Sequence, residues 1–183
     1  MDLVDYLFEV GELKRVKRSG WWLAKIKDPE SVAEHSHRAS ILAFILAKME
    51  NVDPYKLCSA AVFHDVIEAR LGDIHKVTAR YVDITNEIEK KVIEEQLQNV
   101  PSEISSEIKK VILLEGKERD VLKDADLLEC AIQAKEYLEI GHAACTIWMD
   151  NIGKQLKTRS AKDIFQEIKE SKSSIWHQKI SKK

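Results

Sequence analysis

The stretch AAVFHDVIEAR, residues 60–70, runs four apolar positions into an adjacent His64 and Asp65 and places Glu68 one helical turn later. Upstream, Asp53 before Pro54 has the form of a helix N-cap and first helical residue. A helix is therefore expected from there to about Ile67. On it His64 extends the stripe through Leu57 and Ala61, and Asp65 the stripe through Cys58, Ala61 and Val62, so both point inward. Glu68 falls on the same side, at i+4 from His64 and i+3 from Asp65. An unpaired buried carboxylate neutralises rather than staying charged, so an inward Asp needs a partner. A divalent cation serves.

Working outward, SVAE at 31–34 fits a capping box and opens a preceding helix that ends near Asn51. Its stripe carries His35 toward the core, and the 3.6-residue period turns His37 about 200° away. Taken alone, His35 reads as a hydrogen-bonded core histidine, the commoner fate of an inward imidazole. Six Gly and three Pro, with no alternating strands, make helices joined by short turns the economical reading, so the fold class is all-α. A first helix is expected over 2–13, an irregular basic and aromatic segment over 14–30, and a loop over 70–83. Further helices are expected at 84–99, 102–115, 119–140, 142–157 and 161–178, with a fraying tail at 179–183. In the helix over VLKDADLLECA, Asp126 follows Leu122, Cys130 and Ala134, whereas Asp124 shares a side with Leu127, Leu128 and Ala131. Periodicity does not choose between them.

The 183 residues, 44% hydrophobic, suit one domain over 1–183 with a real core. Twenty-nine basic and 31 acidic residues give a net charge of -2, leaving no global positive field for a nucleic-acid backbone. Cys58, Cys130 and Cys145 are odd in number, widely spaced and set in apolar patterns, as reduced cytosolic thiols would be. The first residues lack a basic start or cleavage site, and no apolar run approaches 18 residues, so a cytoplasmic protein that does not enter a membrane is expected. Gly-rich phosphate loops, G-x-S-x-G, CxxC and HExxH are all absent, which leaves a metal as the visible source of catalytic power.

PESVAEHS with His35, FHDVIEARLGDI with His64, Asp65, Glu68 and Asp73, and KDADLLE with Asp126 resemble, in order and spacing, the HD-domain phosphohydrolases, most closely their 5'-deoxynucleotidase-like branch. The resemblance is strongest over residues 3–140, and 141–183 match only as additional packing helices. It implies that Asp126, not Asp124, completes a metal set with His35, His64 and Asp65. Two imidazoles and two carboxylates form a borderline site that suits Mn²⁺, Co²⁺, Fe²⁺ or Zn²⁺ and leaves positions for a phosphoryl oxygen and water. Glu68, beside the four, is then the general acid/base. Asp73 is implied to contact the attacking water or the sugar, or else to hold a second, Mg²⁺-type ion together with Glu68.

By position in the family pattern, Arg18 in KRSGWW is expected to grip the phosphate and Trp21 to stack on the base or press on the sugar, with Trp22 an equal structural candidate. On charge alone, Lys14, Arg15, Lys17 and Arg18 read as a solvated basic turn. His75, His142 and His177 read as loop or surface histidines. The expected function is metal-dependent hydrolysis of (deoxy)nucleoside 5'-monophosphates by a homodimer. The competing readings are a hydrolase of nucleoside triphosphates or cyclic phosphodiesters, for which the short chain offers little extra binding material, and a non-catalytic regulatory module, which would not need Glu68.

Overall fold

The computed structural model describes residues 3–181, whose only β pairing is an isolated antiparallel bridge between Lys17 and Ser31. Ten helices follow in order among the described residues: α1 Leu3–Gly11, α2 Val32–Met49, α3 Pro54–Phe63, α4 Glu68–Leu71, α5 Asn86–Leu97, α6 Ser102–Ile112, α7 Gly116–Glu139, α8 Thr146–Gln155, α9 Arg159–Glu170 and α10 Trp176–Ile180. The all-α expectation holds. Residues 2 and 182–183, at the ends of the expected first helix and fraying tail, lie outside the described residues.

Local chemistry sets the helix starts. Ser31 Oγ accepts from Glu34 N at 3.2 Å while the Glu34 carboxylate accepts from Ser31 N at 2.6 Å, the reciprocal pair of a capping box. Asp53 caps α3 ahead of Pro54, and the hydroxyls of Thr85 and Thr158 cap α5 and α9. Just past α2, Asn51 adopts the left-handed conformation, φ 55°, that asparagine tolerates better than most residues.

The packing centres on α2 and α7. Helix α2 lies against α3 and α7, and α7 also carries α8 and α9. Ala43, Ala47, Ala60, Ala61, Ala125 and Ala131, all fully buried, permit this close approach, and Leu46, Leu57 and Leu128 fill the space between. A second apolar cluster, with Tyr6, Leu13, Val32, Val66, Leu97 and Ile108, ties α1, α5, α6 and the residues after α3 to the start of α2. No helix among the described residues is long and apolar enough to cross a membrane.

Two expected helices are cut short. Helix α3 stops at Phe63, not Ile67, because the His64 ring intervenes. A carbonyl can only accept, so His64 Nδ1 donates to Ala61 O at 2.7 Å, taking an acceptor of the last helical turn. The chain continues in tighter turns, with Val66 N on Phe63 O at 3.3 Å and Glu68 N on Asp65 O at 3.0 Å. Similarly, the segment expected as one helix over 161–178 parts at Ser171–Ile175 into α9 and α10.

Candidate metal centre

His35, on the first turns of α2, is fully buried. Its Nδ1 faces Glu129 of α7, also fully buried, and the other Glu129 oxygen accepts from Arg38 Nε at 2.9 Å. Arg38 continues to Glu136 at 3.0 Å and to Gln133 at 2.9 Å. A carboxylate partner holds the proton on Nδ1 and aims Nε2 into the interior. In His64 the bond to Ala61 O does the same. Asp65 Oδ2 lies 3.2 Å from His64 Nε2 and 3.6 Å from His35 Nε2, and Asp126 Oδ1 lies 3.3 Å from His35 Nε2. Residues from α2, from the turn after α3 and from α7 thus converge.

His35 Nε2, His64 Nε2 and Asp65 Oδ2 are buried without a hydrogen-bond partner. Orphaned buried polar atoms are rare and each costs about 1–3 kcal/mol. Three that face one another, two of them imidazole nitrogens, fit the donor set of a divalent transition cation. Without that charge, burial opposes protonation of His35, but its contacts with Asp126 and Glu129 outweigh burial and raise it to about 10. Asp126 is held well below the usual carboxylate range: His35, Lys123 and His64 together overcome the effect of its burial.

Asp124 lies on the other side of α7. It is fully buried and accepts from Lys157 N at 3.0 Å, Thr158 N at 2.7 Å and Thr158 Oγ1 at 2.7 Å, fastening the link between α8 and α9. The structure therefore brings Asp126, not Asp124, to the two histidines.

Glu68 opens α4 at the edge of the cluster, and its Oε2 is also buried without a partner. Burial, and then the charges of Asp65 and Asp73, raise it to about 9. Arg18 reaches in from the segment before α2, with Nη1 2.9 Å from Asp73 Oδ1 and 3.6 Å from Asp65 Oδ2, and Nη2 donating to Cys130 Sγ at 3.3 Å. It is no solvated basic turn. The second Asp73 oxygen accepts from Ser19 N at 2.6 Å and Ser19 Oγ at 2.8 Å. Gly72, at φ 72° and ψ 162°, a region nearly closed to other residues, makes the turn that brings Asp73 there. Clusters of three or more donor atoms within 4.8 Å among the described residues include neither Glu68 nor Asp73.

Trp21 is 3% exposed, its Nε1 donating to Glu30 at 3.0 Å and its ring stacked on Trp148 of α8 at 5.5 Å. Trp22 is 50% exposed. His75 accepts from Thr78 N at 3.2 Å and so steadies its own loop. Arg18, Asp65, Glu68 and Asp126 line a cavity of about 480 Å³, and Trp148 and Asn151 of α8 form its far wall. That wall, the Glu129–Arg38 pair and Ser19 escape sequence reading. The only signal for Glu129 and Arg38 was their i+3 spacing from Asp126 and His35, and nothing distinguished α8 from a packing helix.

A family model described as an HD domain matches residues 10–169. The 5'-deoxynucleotidase HDDC2 of Danio rerio is 30% identical over 148 residues, spanning 76% of this chain and 71% of that protein. A crystal structure of a genomics protein has a TM-score of 0.76 at 38% identity, covering 96% of this chain and 98% of that one. The cyanophage S-2L HD phosphohydrolase DatZ, bound to dA and one catalytic Zn²⁺ ion, has a TM-score of 0.58 at 18% identity over 90% of this chain and 96% of its own, a likeness of fold alone.

Proposed function

The chain belongs to the HD-domain family, and on that premise we propose that it is a metal-dependent phosphohydrolase releasing phosphate from (deoxy)nucleoside 5'-monophosphates, the activity named in its relatives. The observation that carries this reading is the meeting of the orphaned His35 Nε2, His64 Nε2 and Asp65 Oδ2 with Asp126 beside the partly buried Arg18 guanidinium. These four side chains are the proposed ligands. A Mn²⁺, Co²⁺, Fe²⁺ or Zn²⁺ ion held there supplies Lewis acidity toward a phosphoryl oxygen.

The rest of the work belongs to the chain. Arg18, kept in place by Asp73 and Ser19, presents a fork of donors to the phosphate dianion. Asp73 acts here by positioning Arg18. Glu68, whose carboxyl is raised by burial and by its acidic neighbours, donates its proton to the departing 5'-oxygen. The nucleoside lies along the α8 wall, where the stacked rings of Trp21 and Trp148 both line the cavity.

We further read the protein as a cytoplasmic homodimer. Ile41, Phe44, Ile45 and Met49 leave an apolar face exposed on α2, and Tyr55 of α3 extends it through a ring contact with Phe44 at 5.7 Å.

The decisive experiment strips the protein with EDTA, restores one divalent metal at a time and measures phosphate release from nucleoside mono-, di- and triphosphates. Metal-dependent release from monophosphates alone is the expected result. Release from triphosphates alone, or no release with any metal, overturns the proposal.

A further inference from the structure

Two donor groupings that share His35 lie at the edge of the cavity, which Asp65, Asp126 and Cys130 line: His35 with His64 and Asp65, and His35 with Asp126 and Cys130, the atoms of each within 4.8 Å of one another; a third, with Glu30 and Glu129, uses the far side of the ring. His35 is fully buried and its Nε2 is unpartnered. The first grouping offers nitrogen and oxygen only, and the second adds a sulfur. Cys130 follows Asp126 by four residues on α7, so the two side chains lie one turn apart on the same face. Its Sγ borders the cavity and touches Arg18. Of the other free cysteines, Cys145 is packed in the apolar core and Cys58 sits on α3 outside these groupings.

We propose that Cys130 is an additional donor, recruited by thiophilic divalent cations, so that one pocket sorts metals between two overlapping ligand sets. Mn²⁺ prefers carboxylate and imidazole and leaves the sulfur alone, whereas Cd²⁺ and Zn²⁺ favour thiolate. Donors around one tetrahedral ion stand about 3.5 Å apart, so atoms now within 4.8 Å of one another close on it by at most about 1.3 Å. On binding, the thiol proton passes to solvent and a sulfur–metal bond forms. The resulting thiolate holds the neighbouring Arg18 more strongly than a thiol does, in competition with a phosphate dianion. Thiophilic ions would thus fill the centre while restraining the group that grips the phosphate.

This inference rests on the metal centre proposed above. The test titrates the full metal-free chain with Cd²⁺, following the ultraviolet thiolate-to-cadmium charge-transfer absorption, and measures Cd²⁺ and Mn²⁺ binding by calorimetry. The band should appear up to one equivalent in the wild type and in Cys58→Ser. It should vanish in Cys130→Ser and Cys130→Ala, with Cd²⁺ affinity falling at least about tenfold and Mn²⁺ affinity far less affected. Circular dichroism checks that the variants fold. A band that survives in both Cys130 variants, or one-equivalent Cd²⁺ binding to wild type with no band, sinks this proposal and leaves the centre intact if Mn²⁺ binds. Failure of both ions to bind wild type sinks the centre as well.

Discussion

Two acidic residues, Asp124 and Asp126, stand two positions apart on α7 and do unrelated work. Asp126→Ala should abolish metal uptake measured by elemental analysis. Asp124→Ala should keep the metal but leave Lys157 N and Thr158 N unsatisfied, lowering stability by about 3 kcal/mol in denaturant unfolding. The opposite pairing of outcomes would refute the assignment. Glu68→Gln cannot donate a proton to the leaving oxygen, so turnover should fall by about 10²–10⁴ with metal content unchanged. Burial and neighbouring carboxylates raise Glu68 to about 9 in the metal-free chain and a bound cation lowers it from there, so in the loaded enzyme its acid form is lost as pH climbs through a value below 9. An alkaline decline in kcat should therefore disappear in the Gln variant. For Arg18→Ala, the expected signature is a rise in KM for the monophosphate that exceeds the fall in kcat, seen in steady-state kinetics.

Among the elements, α2 was the most legible, since capping box, stripe and inward His35 all follow from local rules that tertiary structure leaves in place. The end of α3 was not. Periodicity carries a helix through Ile67, but it cannot register that an imidazole will occupy the Ala61 carbonyl and break the helix at His64 and Asp65. His64 and Asp65 meet the centre from a tight turn, not from a regular helical face. Helix α8 was illegible for another reason: its contribution is a wall, visible only once α7 places it opposite Arg18. On the exposed face of α2, Phe44→Glu should convert a dimer into a monomer in sedimentation velocity, and an unchanged mass would dispose of that interface.

For the whole molecule, the proposed ligands tie three separate segments together, so a cation that binds only the folded state stabilises it by mass action, about 4 kcal/mol at a thousandfold excess over Kd. Removing metal should lower Tm accordingly in scanning calorimetry. A sign for the pH dependence follows from His35. Raised to about 10 without metal, it is protonated at neutrality, and a ligand nitrogen must be neutral, so loading expels a proton. Apparent affinity should climb about tenfold per pH unit toward that value, and calorimetry in buffers of different ionisation enthalpy would count the released proton.

The chain of groups behind His35, from Glu129 through Arg38 to Glu136, begins at full burial and finishes at a carboxylate whose side chain is 37% accessible. Bulk electrolyte therefore touches the outer end of a chain of ion pairs whose inner end is the His35 ring. Neutralising Glu136 would send an electrical signal inward along this wire, and its strength should fade as added salt screens the outer terminal.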